Sequence, residues 1–182
     1  MKVHSIKTDN HSVHHKVELR KQAVGHLKTI KVLDLFAGNN TLWSYVKTDR
    51  YYGVEKEKNK GKNLTADNMR VISSLDLSGF NVIDCDSYGI PFNQISEIFK
   101  NETLQKGTVI IYTCITNKMS GLNKECLKMY NLGKIYKKAK TLVNARAIEM
   151  FYGMLYKNGI KKVKEFEINT HFIKKYGYFE VI

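Results

Sequence analysis

Two acidic segments, Lys31-Val-Leu-Asp-Leu-Phe-Ala-Gly-Asn-Asn40 and Asn81-Val-Ile-Asp-Cys-Asp-Ser-Tyr-Gly-Ile-Pro91, place carboxylates and loop-forming residues directly after short apolar runs. A carboxylate at the end of a strand accepts hydrogen bonds from hydroxyl or amino groups. In the first segment small Ala37 and Gly38 let backbone approach a ligand, and the N–H groups opening a following helix can meet an anion. In the second, Asp84, Asp86 and a carbonyl near Ser87 are acceptors next to Tyr88, whose ring offers a stacking face. Between the two, Tyr51-Tyr-Gly-Val-Glu55 brings another carboxylate to the end of an apolar run.

The elements that must hold these groups follow from hydrophobic period. Helical spacing of Val13, Val17, Leu19, Ala23, Val24 and Leu27 predicts a leading helix over 12–28. Strands are expected at 30–35, 50–54, 70–73, 80–85 and 108–113, and helices at 41–47, 59–68, 92–100 and 134–156, the last stopped by Asn158-Gly159. The runs 161–168 and 176–182 are joined without a helix and therefore form an antiparallel pair, since a parallel pair needs a crossover. The expected fold is α/β: a doubly wound, mostly parallel seven-stranded sheet with a C-terminal antiparallel hairpin. Residues 1–29 form a basic helical segment packed on a domain spanning 30–182.

This combination resembles the class I, Rossmann-like S-adenosylmethionine (SAM) dependent methyltransferases, which end in such a hairpin, and the resemblance covers 30–182. It implies SAM as cofactor, held at Asp34, Phe36, Ala37, Gly38, Asn39, Asn40, Glu55, Asp76 and Asp84. Asp34 and Gly38 match the family's acidic-x-x-x-Gly-x-Gly loop, while Asn40 stands at the second glycine; Asn tolerates φ > 0, so the loop shape can survive. Glu55 would accept the ribose hydroxyls and Asp76 would face the adenine amino group. The Asp84-Cys-Asp-Ser-Tyr-Gly89 loop is similar to the D-L-D-P-Y-G segment of the tRNA guanine N2-methyltransferases, with Ser87 at the proline position. Tyr112-Thr-Cys-Ile-Thr-Asn117 is similar to their threonine-rich loop.

The resemblance makes Asp84, Asp86, Ser87 and Tyr88 the catalytic residues. An exocyclic amine conjugated with a base is a poor nucleophile until acceptors on its hydrogens localise the lone pair. Asp86 and a carbonyl near Ser87 would do so while Tyr88 stacks on the base. The expected activity is SAM-dependent methyl transfer to an exocyclic amino group of a nucleic-acid base, RNA and within it tRNA first. Other readings stay open: an RNA cytosine-C5 methyltransferase using Cys114 as nucleophile, a DNA or small-molecule methyltransferase, or a non-catalytic binding module of the same fold. In a purely structural alternative, Asp84 and Asp86 cap the helix near Pro91 and Tyr88 fills the core.

Composition narrows the setting. Thirty basic against seventeen acidic residues give a net charge of +13, which favours a polyanionic partner. Twelve Lys or Arg against two Glu between Lys118 and Lys164, together with Tyr130 and Tyr136, suit phosphate contacts beside base stacking. Cys85, Cys114 and Cys126 form no C-x-x-C pair, and no long apolar run or signal peptide is visible. The expectations are a cytoplasmic protein with no membrane partner and no metal site, whose His4, His11, His14, His15 and His26 belong to a basic arm. A partner subunit or homo-oligomer is left open.

Overall fold

The computed structural model describes residues 13–58, 60, 63–116, 122, 124–169 and 173–182. His4, His11 and the part of the threonine-rich loop beyond Thr116 lie outside these residues. Seven strands form one sheet: β1 (Lys31–Asp34), β2 (Arg50–Glu55), β3 (Leu64–Thr65), β4 (Val82–Cys85), β5 (Val109–Thr116), β6 (Lys164–Asn169) and β7 (Ile173–Glu180), in the order β3-β2-β1-β4-β5-β7-β6. The first five are mutually parallel, and β7 runs antiparallel to both β5 and β6. The sheet is thus the mixed, seven-stranded one expected. Order reverses at β1 and β4, where open α/β sheets bind ligands outside the carboxyl ends of the strands.

Each face of the sheet is covered. On one, Val32, Val82, Val109, Ile111, Tyr176 and Tyr178 pack against Trp43 and helix α1 (Val13–Val24), which buries Val17, Leu19, Ala23 and Val24. Arg20 lies in the same buried stripe at 2% exposure, so the apolar period of this helix is interrupted by a charge. On the other face, Leu33, Ile83, Ile110 and Tyr112 meet α2 (Asn68–Ser74), α3 (Phe92–Lys100) and α7 (Ala147–Lys157). Phe92, Ile95 and Ile98 bury one side of α3 at i, i+3 and i+6.

Four expectations change. The helix expected over 59–68 is not formed at its described residues: Leu64–Thr65 is a strand, and helix begins only at Asn68. Residues 70–73 are helical, in α2, and the strand is the short β3 before it. The β-branched pair Val71-Ile72 suggested a strand, but the Asp67 side chain accepts from Met69 N–H and Arg70 N–H and so caps a helix there. The helix expected over 41–47 reduces to a 3-10 turn at Trp43–Tyr45. The helix expected over 134–156 is three pieces, α5 (Gly133–Lys138), α6 (Lys140–Ala145) and α7, preceded by α4 (Lys124–Met129). α7 buries Ala147, Phe151, Met154 and Leu155, whereas α5 buries nothing, so no apolar stripe holds the whole stretch in one helix.

Candidate active site

The carboxyl ends of β1, β2 and β4 bring Asp34, Glu55 and Asp84 to one edge of the sheet. Asp34 and Asp84 are register partners on adjacent parallel strands. Their carboxylates therefore share the α1 face, with that of Asp86 one pleat further on. From α1, Arg20 and Lys16 reach in to Asp84 and Asp86.

Arg20 Nε and Nη2 lie 2.8 and 2.6 Å from Asp84 Oδ2, which also accepts from Trp43 Nε1 at 2.7 Å. Asp84 Oδ1 and Ser87 Oγ are buried without a hydrogen-bond partner among the described residues. Lys16 Nζ sits 2.9 and 2.8 Å from the two Asp86 oxygens, and Arg20 Nη2 is 3.4 Å from Oδ2. Burial pushes the Asp86 carboxyl up, but Lys16, Arg20 and a hydroxyl bond from Thr113 outweigh it and hold its pKa below the usual value. Burial, reinforced by Asp86, pushes Asp84 up against the opposing pull of Arg20. Asp34 is pushed up to about 8, by burial first and by the neighbouring Asp84 charge second.

The first acidic loop has the geometry its residues require. Asp34 Oδ1 accepts from Phe36 N–H at 3.1 Å, and the Tyr51 hydroxyl donates to Oδ2 at 3.0 Å. Gly38 has φ +52° and Asn40 φ +62°, so asparagine does adopt the left-handed conformation at the position where the family has glycine. Glu55 accepts from Gly38 N–H at 3.0 Å and from Glu57 N–H at 3.2 Å. Asn63 donates to Gly38 O at 2.9 Å and closes the loop from the other side. Gly53 is needed beneath it, because a Cβ there would come 2.8 Å from Ala37 Cβ and 2.1 Å from Asn63 Oδ1. Ala37 is buried, Phe36 is half-buried and Asn39 is exposed at the tip.

In the second loop, Ser87 N–H donates to Cys85 O at 2.7 Å, and Gly89 at φ +104° turns the chain so that its carbonyl accepts from Ile115 N–H at 2.8 Å. Tyr88 projects outward at 70% exposure. The helix-cap alternative therefore fails: α3 has Pro91 at its N-cap with no side-chain bond, and Tyr88 is not in the core.

Two further expectations are corrected. Asp76 does not join the cluster: it is exposed and accepts from Ser78 N–H at the head of the 3-10 turn Leu77–Gly79. That turn leads into the amino end of β4, the opposite edge of the sheet. The acid at the carboxyl edge after β3 is Asp67, beside Asn68, whose amide lies 3.4 Å from Leu35 O. Because the third strand is Leu64–Thr65 and not 70–73, the acid that follows it lies nine residues before Asp76. Cys114 is 1% exposed and its thiol is pushed up by burial, the reverse of a nucleophile's thiolate. It points to the face of Tyr112 and away from Thr113, which bonds Asp86.

Lys16, Arg20 and Trp43 were not found from sequence. The only available signal was Arg20 in the apolar stripe of the leading helix, which by itself names no partner.

The fold has known counterparts. The chain is similar to the N-methyltransferase NodS from Bradyrhizobium japonicum, with a TM-score of 0.58 at 8% identity over 95% of this chain and 98% of that one. It is also similar to a SAM-dependent methyltransferase from Agrobacterium tumefaciens, with a TM-score of 0.56 at 12% identity over 94% of this chain and 62% of that one. In the second case it thus spans less than two thirds of the other chain's length. No family model matches the sequence, and no curated protein matches it significantly. At these identities the likeness is one of architecture: the chain has the class I methyltransferase fold.

Proposed function

We propose that the protein is a SAM-dependent methyltransferase acting on an exocyclic amino group of a nucleic-acid base, with RNA as the substrate class. The observation that carries the reading is the juxtaposition, at one sheet edge, of the Gly38–Asn40 loop bonded to Glu55 and the Asp84–Gly89 loop with exposed Tyr88.

The residues fit the cofactor. Each Glu55 oxygen takes one backbone N–H and keeps a lone pair for a ribose hydroxyl. Asp84 Oδ1 and Ser87 Oγ are buried polar atoms that need a partner. When bound, SAM supplies an electrophilic methyl group on a sulfonium. Asp34 would hold the loop for it through Phe36 N–H.

On the acceptor side, Tyr88 offers a ring to the base and the Ser87 carbonyl an acceptor for one amine hydrogen. Asp86, kept ionised by Arg20 and Lys16, offers the second once Lys16 gives way. Fixed acceptors at the amine localise its lone pair and lower the barrier. Charge supports the polyanion, and the fold likeness to an N-methyltransferase supports the reaction class.

The test is a calorimetric titration of SAM into wild type and Glu55→Ala, followed by transfer of labelled methyl to RNA, DNA and small amines. Binding lost in the variant and label in RNA are expected. Absence of SAM binding by the wild type would sink the proposal.

A further inference from the structure

The short helices after β5 leave an unusual surface. α5 buries no residue and α6 buries only Val143, while Ile135 and Leu142 are 51% and 65% exposed. Lys134, Lys137 and Lys138 stand at i, i+3 and i+4, on one face of α5, and Lys140 opens α6; all four are exposed. Like charges at this spacing repel and weaken a helix. No Asp or Glu occurs between Glu125 and Glu149 to relieve them, and Glu149 is taken by Arg146 at 2.7 Å. A six-residue helix with no buried face and uncompensated repulsion has little to hold it in isolation.

The surface is tied to the candidate active site. Leu122 N–H donates to Asn144 Oδ1 at 3.2 Å, fastening α6 to the chain that leaves the carboxyl end of β5. Tyr130, at the end of α4, packs its ring 6.3 Å from that of Phe92, the first residue of α3 directly after the Tyr88 loop. Its hydroxyl bonds Met150 O, so Tyr130 is a packing residue and not the stacking platform expected from sequence.

We propose that the α5–α6 face is the track for the RNA backbone, with Lys134, Lys137, Lys138 and Lys140 on phosphates and Ile135 and Leu142 against the sugars and bases between them. This rests on the reading of the acceptor as an RNA base. RNA fits better than an anionic bilayer because the chain bends at Ala139 (φ −138°, ψ 52°), which breaks any continuous apolar stripe, and because the segments on either side of α5 are tied, through Tyr130 to Phe92 and through Asn144 to Leu122, to the chain that follows the Tyr88 loop and β5.

The test compares two quadruple variants of equal net charge. One replaces Lys134, Lys137, Lys138 and Lys140 by Gln. The other replaces Lys28, Lys31, Lys106 and Lys161, exposed lysines near the amino edge of the sheet. Affinity for bulk tRNA is measured against salt, with SAM binding and circular dichroism as controls for folding. The track variant should lose affinity on the order of 10²-fold, with a log–log salt slope shallower by about 3. The control should lose much less, and SAM affinity should stay unchanged in both.

Equal losses in the two variants, or tRNA binding by the track variant as tight as wild type, would overturn the track while leaving RNA methylation standing. A wild type that binds SAM but neither binds nor methylates tRNA would overturn the substrate reading and the track with it. Binding to vesicles of phosphatidylcholine and phosphatidylglycerol that only the track variant loses, without a change in tRNA affinity, would reassign the face to a membrane.

Discussion

Lys16 Nζ lies within 2.9 Å of both Asp86 oxygens, joining the first helix to a loop seventy residues further along the chain. The two α1 cations are not equivalent. The Arg20 side chain is 2% exposed and wedged between Asp84 and the Trp43 ring, whereas that of Lys16 is 17% exposed at the rim. Arg20 is a fixed counterion; Lys16 is the one that an incoming amine can displace. Lys16→Ala should therefore lower KM for the RNA acceptor and leave kcat the same or higher. A fall in kcat at unchanged KM would make Lys16 a required positioning partner instead.

Removing Arg20 should cost far more stability. It leaves Asp84 buried beside Asp34 without its main cation, and breaking a buried pair from one side costs roughly 3–5 kcal/mol. Urea denaturation of Arg20→Ala should show this loss together with a shift of the midpoint. Arg20→Lys should recover only part of it, because one ammonium cannot reproduce the several contacts of the guanidinium with Asp84 and Asp86.

Asp34 predicts a pH dependence. Its native pKa, pushed up to about 8 by burial and then by Asp84, lies above the unfolded value of about 3.9. Between these values the native state holds a proton that the unfolded state releases. The Asp34 contribution is thus fully present below the unfolded pKa and is lost as pH rises toward 8. Urea midpoints of wild type should fall across that window more steeply than those of Asp34→Asn. Parallel curves for the two proteins would remove the assignment. Asp86, whose pKa is lowered, works in the opposite sense and loses its contribution only in more acid solution.

Asn40 at φ +62° tests the cofactor loop directly. Asn40→Gly should keep SAM affinity and stability near wild type. Asn40→Val forces a β-branched residue into the left-handed region, at a cost of about 1–2 kcal/mol, and should weaken SAM binding in calorimetry.

Cys114→Ser should leave methyl transfer intact, since the thiol is buried on the face away from Asp86. Loss of transfer, with trapping of a covalent adduct by an RNA containing fluorinated cytosine, would instead restore the nucleophilic role.

Much of the architecture was legible along the chain because it rests on local periodicity. The apolar runs ending at Asp34, Glu55 and Asp84 became parallel strands, the 92–100 helix has the expected bounds, and the two C-terminal β-rich runs pair antiparallel. That Asn39 or Asn40 could take the left-handed conformation, which the structure puts at Asn40, was readable from residue type. The third strand was not, because two residues of β3 carry no periodic signal and the Val71-Ile72 pair fits a strand as well as it fits a capped helix. Asp76 was consequently placed at the wrong edge, where Asp67 stands in the structure.

What the sequence by itself determined is the position of the long strands and of the 92–100 helix and the identity of the acids that end β1, β2 and β4, since alternation and turn chemistry are properties of neighbouring residues. Only the tertiary structure decided which cations those acids meet. Lys16 and Arg20 are separated from Asp84 and Asp86 by 64 to 70 residues, and no spacing rule connects them. Their pairing follows from the packing of α1 against β5, β7 and the Trp43 turn, which brings Arg20 and Lys16 to Asp84 and Asp86.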